Sequence, residues 1–261
     1  MRVHQNLLDL SGRCAVVTGA AGGIGSAICR VLGAAGAELH LLDSDADGLA
    51  RQADDLRGAG ITATPWTIDL RSEPAIEGFF AEFARSPDIW VNNAGVAPRK
   101  PALEITASEW DAVHDLNLRA AYLCAKHAAR AMLDAATKGV IVNMTSSTAH
   151  RADANPLHYR VSKTGLISLT QSLAVELGPA GIRAVAVAPT LVNTPPLQEM
   201  VAAAGDDGFT RLGFAAFVKR LPLRRMAEPD DVAYGVLFLV SDMASMITGS
   251  VLDIDGGQTA K

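Results

Sequence analysis

Short apolar runs alternate with longer amphipathic stretches from one end of this chain to the other, and that rhythm restricts its fold more than any other feature. Residues 14–18 (CAVVT), 38–42 (ELHLL), 63–68, 89–91, 139–144 (GVIVNM), 183–187 (RAVAV) and 250–254 read as strands. Residues 25–35, 46–58, 76–85, 107–136, 159–177 and 229–241 read as the helices between them. Unbroken apolar runs such as VVT and VIV suit strands covered on both faces. Alternation over the whole length calls for parallel strands, crossover helices and a sheet sandwiched between helical layers. No linker or composition break divides the 261 residues, so one α/β domain over 1–261 is expected. A single large domain carries that length.

The stretch 191–225 breaks the rhythm. Pro189, Pro195, Pro196 and Pro222 punctuate it, and it holds Leu197, Met200, Phe209, Phe214 and Phe217. A long insertion in a tight α/β fold is often a lid over an active site; a surface excursion with one or two helices is the other reading.

The net charge is −5 and no dense Lys/Arg run is present. Nucleic acid or an anionic membrane would need a basic footprint and is not expected as the main partner. Cys14, Cys29 and Cys124 are far apart and form no Cys-x-x-Cys or zinc-type cluster. They read as reduced thiols of a cytoplasmic protein, and no metal is called for. The start lacks a signal-peptide pattern, and no apolar run approaches the roughly 18 residues of a membrane span.

Thr18-Gly19-Ala20-Ala21-Gly22-Gly23-Ile24-Gly25 joins the first strand to the first helix. Glycines there let the backbone turn sharply and approach a pyrophosphate, and the helix N-terminus offers free N–H groups and a positive dipole end. The spacing is not Gly-x-Gly-x-x-Gly, and no Lys-Ser/Thr follows, so a P-loop is excluded. Asp43 ends the second strand, about 20 residues past the glycines, where a carboxylate accepts bonds from a ribose 2′-OH. It would repel a 2′-phosphate, and no Arg or Lys in the glycine loop offsets it, which favours NAD over NADP. A helix N-cap is the other use for Asp43, but Asp45 could serve there. Asp69, at the end of the third strand, could reach an adenine edge; a plain loop Asp fits nearly as well.

Tyr159 and Lys163 lie four apart on a helix, so they share a face one turn apart. A phenol titrates near pH 10 and needs its pKa lowered to act as a base. About three units, or about 4 kcal/mol, is the order of what one charge at about 4 Å supplies at an effective dielectric near 20. A lone Tyr-x-x-x-Lys pair is common, however. Ser146 and Asn92-Asn93-Ala94-Gly95 give it weight, because both fall at or just beyond the C-terminal ends of strands, the edge where open parallel sheets bind ligands. Asn117 lies within a helix, where Asn is a mediocre former.

Taken together, Thr18-Gly19-x-x-x-Gly23-Ile24-Gly25, Asp69, Asn92-Asn93-Ala94-Gly95, Asn117, Ser146, Tyr159-x-x-x-Lys163 and Asp255-Gly256-Gly257 resemble the short-chain dehydrogenase/reductase superfamily over essentially the full chain. The resemblance implies a doubly wound Rossmann-type domain with seven parallel strands. It also implies an NAD-dependent enzyme that interconverts a secondary alcohol and a ketone. Tyr159 would exchange the proton, Ser146 would orient the substrate oxygen, and Lys163 would bind the nicotinamide ribose and lower the Tyr pKa. Asn117 would hold a water linking Lys163 to solvent. The cofactor would contact Gly19, Gly23, Ile24, Gly25, Asp43, Asp69, Leu70, Asn93, Ala94, Gly95, Tyr159, Lys163, Pro189, Val192 and Thr194. Most relatives end the strand after the catalytic helix in Pro-Gly; here it is Pro189-Thr190, and a common Asn in that strand is Val185.

Between Ser146 and Tyr159, where such proteins line the substrate pocket, stand His150, Arg151, Asn155 and His158, while Arg99 and Lys100 follow the Asn-Asn-Ala-Gly turn. Ser146, Arg151, His158, Tyr159 and Thr190 are the candidate substrate contacts. This polar, partly basic set suits a sugar, a polyol or an anionic hydroxy compound; solvent or a neighbouring subunit would also explain individual members. A 3-oxoacyl-type ketoreductase would be expected to prefer NADP, and a silent NAD-binding sensor would be expected to have lost a catalytic side chain. Relatives are commonly tetramers, and the Ala- and Leu-rich helices at 107–136 and 159–177 are compatible with a homo-oligomer, tetramer or dimer.

Overall fold

The structure, a computed structural model, describes residues 7–151, 156–203 and 208–260. The strands β1 (Cys14–Thr18), β2 (Glu38–Asp43), β3 (Ala63–Thr67), β4 (Ile89–Asn92), β5 (Val140–Met144), β6 (Arg183–Pro189) and β7 (Val251–Ile254) form one sheet. All neighbours pair in parallel, in the order β3-β2-β1-β4-β5-β6-β7. The order reverses between β1 and β4. There the loops leave in opposite directions and open a crevice at the C-terminal edge.

The helices are α1 (Gly23–Ala34), α2 (Ala46–Gly58), α3 (Glu73–Phe83), α4 (Ala107–His114), α5 (Ala120–Asp134), α6 (Leu157–Leu177), α7 (Pro195–Ala203), α8 (Gly208–Arg220) and α9 (Pro229–Val240). Successive strand residues point to opposite faces. Ala15, Val17, Leu39 and Leu41 join a core with Ile28 and Leu32 of α1, Leu49 of α2 and Val236 of α9. Cys14, Val16, Leu42 and Trp90 join a second core with Ile76 and Phe79 of α3 and Met132 of α5. Each fully buried Leu or Ile contributes roughly 1.5–3 kcal/mol. All three cysteines are buried and free.

Two departures from the sequence pattern bear on the site. The helix expected over 107–136 is interrupted by a π-helical turn, Asp115–Arg119, which carries Asn117. Single π-turns inside helices concentrate at functional sites. The stretch 191–225 supplies the two helices α7 and α8. Among the described residues, no helix is long and apolar enough to cross a membrane.

Candidate active site

The chain leaves β1 at Thr18 and turns through Gly19 into α1. Gly19 has φ +65°, and a Cβ there would lie 2.9 Å from the Ala94 Cα. A Cβ on Gly25 would lie 2.0 Å from the Gly19 carbonyl oxygen. Neither position accepts a side chain without moving backbone. Asn93 stitches the turn shut. Its Nδ2 donates to the carbonyls of Thr18 (3.0 Å) and Gly19 (3.1 Å). The N–H groups of Asn93 and Ala94 both donate to the Thr18 hydroxyl. Asp43 accepts from the Ala21 N–H at 3.0 Å. Asp45, not Asp43, caps α2, accepting from the Gly48 N–H at 3.0 Å.

The opposite half of the crevice is built on α6. Tyr159 and Lys163 lie one turn apart near its start, and both share a cleft lining with Ser146, which follows β5. Lys163 Nζ lies 5.7 Å from the Tyr159 ring centroid and donates to the Met144 carbonyl at 2.7 Å. Asn117 is buried, with its Oδ1 accepting from the Val96 N–H at 2.8 Å. Its Nδ2 donates to the Val96 carbonyl (2.9 Å) and the Ser162 hydroxyl (3.1 Å). Gly95 permits this closeness: a Cβ there would lie 3.0 Å from Asn117 Oδ1 and 3.4 Å from Lys163 Nζ.

A buried polar chain ties α6 to the sheet. Trp90 Nε1 donates to Asn92, Asn92 to Asn143, and Asn143 to the Thr170 hydroxyl, at 2.7 to 2.9 Å. Thr145 adds a bond of 2.7 Å to the Lys163 carbonyl. Satisfied buried networks of this kind fix geometry, because breaking one link leaves a partner unpaired.

The crevice opens into a cleft of about 620 Å³ that runs from Ile24 and Thr194 past Asn93, Gly95, Ser146, Tyr159 and Lys163 to Thr190, Phe217, Arg220 and Gln258. Pro189, Val192, Arg99 and Arg151 also line it. Other candidates lie elsewhere. His158 is buried and does not line the cleft, so it is not placed as a substrate contact. Adjacent helical positions point about 100° apart, so standing beside Tyr159 in sequence does not give His158 the same face. Lys100 is held by Glu109 at 2.7 Å. His150 pairs with Asp253 at 3.0 Å and lines an adjoining cavity instead. Asp69 is gripped by Arg71, whose hydrogen bonds hold its carboxyl below the usual range, and Leu70 is buried in the core. Asn155 and the side chains of Met200, Phe209 and Phe214 lie outside the described residues.

A family model described as enoyl-(acyl carrier protein) reductase matches residues 19–259. The cis-4-hydroxycyclohexanecarboxylate dehydrogenase of Sinomonas cyclohexanicum is 40% identical over 253 residues, covering 95% of this chain and 97% of that one. The chain belongs to the short-chain dehydrogenase/reductase family. L-xylulose reductase of Bos taurus is 38% identical over 253 residues, covering 96% of this dehydrogenase and 98% of the relative. A candidate NAD(P)-dependent gluconate 5-dehydrogenase from Beutenbergia cavernae, solved with NADP, matches at a TM-score of 0.90 and 34% identity, covering 98% and 100% of the two chains. The dehydrogenase is thus an oxidoreductase of alcohols and ketones that works with a nicotinamide cofactor.

The residues present fit that cofactor. The first turn of α1 has neither an acidic residue nor a side-chain cap, so its N–H groups and positive dipole end are available to a pyrophosphate. The Gly19–Gly25 contact leaves the backbone bare at that point. At the other end, burial pushes the Lys163 ammonium down to about 8, and no described carboxylate answers it. Burial pushes the Tyr159 phenol up, and its bond with Ser146 pulls in the opposite direction.

Sequence reasoning missed Gln258 and Ser147. Gln258 follows the Asp255-Gly256-Gly257 motif, but no pattern in the chain signals that this tail reaches the cleft.

Proposed function

We propose that this dehydrogenase interconverts a polar secondary alcohol and its ketone with NAD, using Tyr159 as the acid/base. The observation that carries the reading is that Ser146, Tyr159 and the buried Lys163 line one cleft together with Ile24 of the glycine turn. When bound, the nicotinamide would supply the hydride acceptor for the carbinol carbon and, in its oxidised form, a positive charge. Tyr159 takes the hydroxyl proton as the C–H bond breaks, and Ser146 holds the same oxygen. Lys163, Thr194 and the Asn93–Gly95 loop would hold the nicotinamide side; Gly19, Gly23, Ile24 and Gly25 would hold the pyrophosphate side. Asn117, on the π-turn and bonded to Val96 and Ser162, would hold the relay water that links Lys163 to solvent. Asp43, beside the glycine turn, repels a 2′-phosphate and sets the preference for NAD. The polar relatives and the hydroxyl- and guanidinium-lined cleft support a sugar, polyol or hydroxy acid as substrate.

The exposed apolar side chains of Tyr122 on α5 and of Val161 and Val175 on α6 support a homo-oligomer through those helices, which light scattering would test. Three buried free thiols suit the reducing cytoplasm. The direct experiment is a screen of sugars, polyols and hydroxy acids with NAD and NADP, following NADH or NADPH absorbance. Turnover of at least one with NAD is expected; no turnover with either cofactor would refute the reading.

A further inference from the structure

Thr190 stands where the resemblance leads one to expect glycine, and its hydroxyl has a definite partner. It donates to Gln258 Oε1 at 2.6 Å. The Ser147 hydroxyl donates to the same oxygen at 3.0 Å. A 2.6 Å separation suits O–H···O and is short for N–H···O, so the amide oxygen, not the nitrogen, faces Thr190. Two hydroxyls on one oxygen fix the amide plane and turn its nitrogen away from them. No described residue accepts from that nitrogen. Gln258 lines both the main cleft and the adjoining cavity, as do Arg151, Phe217 and Arg220.

The tail that carries Gln258 is held firmly. The Asp255 carboxylate accepts from the N–H groups of Gly257 (2.8 Å) and Thr259 (2.7 Å). Gly257 has φ +82°, and a Cβ there would lie 2.9 Å from Pro222, so the tail is pressed against the segment that follows α8. A donor pair at a fixed place in a cleft is what a specificity contact requires.

We propose that Gln258 is the specificity-determining residue of this site, donating from its amide nitrogen to a second oxygen of the substrate, remote from the reacting carbinol. Thr190 and Ser147 are positioning residues that aim it. The inference rests on the dehydrogenase reading above. The ligand chemistry is an acceptor oxygen, carried either by a hydroxyl or by a carboxylate.

The test measures kcat and KM for cyclohexanol, 4-(hydroxymethyl)cyclohexanol, cis-4-hydroxycyclohexanecarboxylate, D-threitol and D-gluconate, in the wild type, Gln258→Met, Gln258→Glu, Thr190→Val and Thr190→Ser. NADH binding by fluorescence checks that each variant is folded. The wild type is expected to favour compounds with a second oxygen over cyclohexanol. Gln258→Met should collapse that preference at least tenfold, mainly through KM. Thr190→Val should erode it about threefold to tenfold, and Thr190→Ser should restore it. Gln258→Glu separates the two sources: a carboxylate partner is rejected at least a further tenfold, whereas a hydroxyl partner can donate to the new carboxylate and is retained. If the wild type turns over these compounds and the preference in Gln258→Met stays within twofold, this proposal falls alone. If the wild type turns over none of them with NAD or NADP, the dehydrogenase reading fails and takes this one with it.

Discussion

The two ends of the cleft are built from different materials. At the glycine turn, the shape is set by backbone: absent side chains at Gly19 and Gly25, and Asn93, Asp43 and Thr18 bonded to main-chain groups. At the Thr190 end, it is set by side chains drawn from distant parts of the chain: Thr190 after β6, Gln258 after β7, Ser147 after β5, and Phe217 and Arg220 on α8. The first end suits a constant ligand such as a dinucleotide. The second can change by single substitutions without disturbing the fold, which is how one scaffold serves different alcohols.

If that division holds, the largest effect comes from the group that joins the two ends. Tyr159→Phe should lower kcat by at least 10³-fold, about 4 kcal/mol in the barrier, while NADH affinity measured by fluorescence changes less than threefold. Retained turnover in this variant would break the assignment of the proton path. Gly25→Ala tests the backbone end. Its Cβ meets the Gly19 carbonyl and Asn93 Nδ2, so the turn must open. A loss of NADH affinity of at least tenfold and a fall in melting temperature are expected together. Tight binding in that variant would show that the turn is more pliable than the geometry allows.

Asp43→Asn sharpens the comparison further. The amide removes the charge and keeps one acceptor, for the Ala21 N–H, while giving up the bond that the other carboxylate oxygen accepts from the Asp45 N–H. The ratio of kcat/KM for NAD over NADP should fall about tenfold, since repulsion of a 2′-phosphate is lost. A wild type that already favours NADP would overturn the role given to Asp43.

The same division explains what was legible in the sequence. Backbone requirements leave fixed residue types, so Gly19, Gly25 and Asn93 could be read in place, and the strand–helix rhythm located every strand to within a few residues. Side-chain requirements leave no such mark. Nothing near Gln258 in sequence reveals Thr190, 68 positions earlier, and nothing about His158 shows that, unlike Tyr159, it does not line the cleft. The π-turn at Asn117 was equally hidden, because periodicity alone reads one continuous helix through it.

The remaining expected effect concerns Lys163, where function and stability oppose each other. Burial lowers its pKa to about 8, against about 10.4 for a free lysine. Between those values the unfolded chain binds more protons than the folded one, so this residue makes stability rise with pH through the window. Below it, the buried ammonium costs at most about 3 kcal/mol. The thiols work the other way. Burial pushes Cys14 and Cys124 up to about 12 and Cys29 up as well, so the unfolded chain loses those protons first and stability falls above about pH 8.5. The net wild-type curve therefore mixes both signs, and the useful quantity is the difference from Lys163→Met, in which the thiols cancel. Against the wild type, the variant should gain stability near pH 7, offset in part by leaving the Met144 carbonyl without its donor, and should lose that advantage steadily between pH 8 and 10. Urea unfolding at four pH values measures it. A difference that does not vary with pH would mean that Lys163 titrates normally and that its burial is not what prepares it for a nicotinamide ribose.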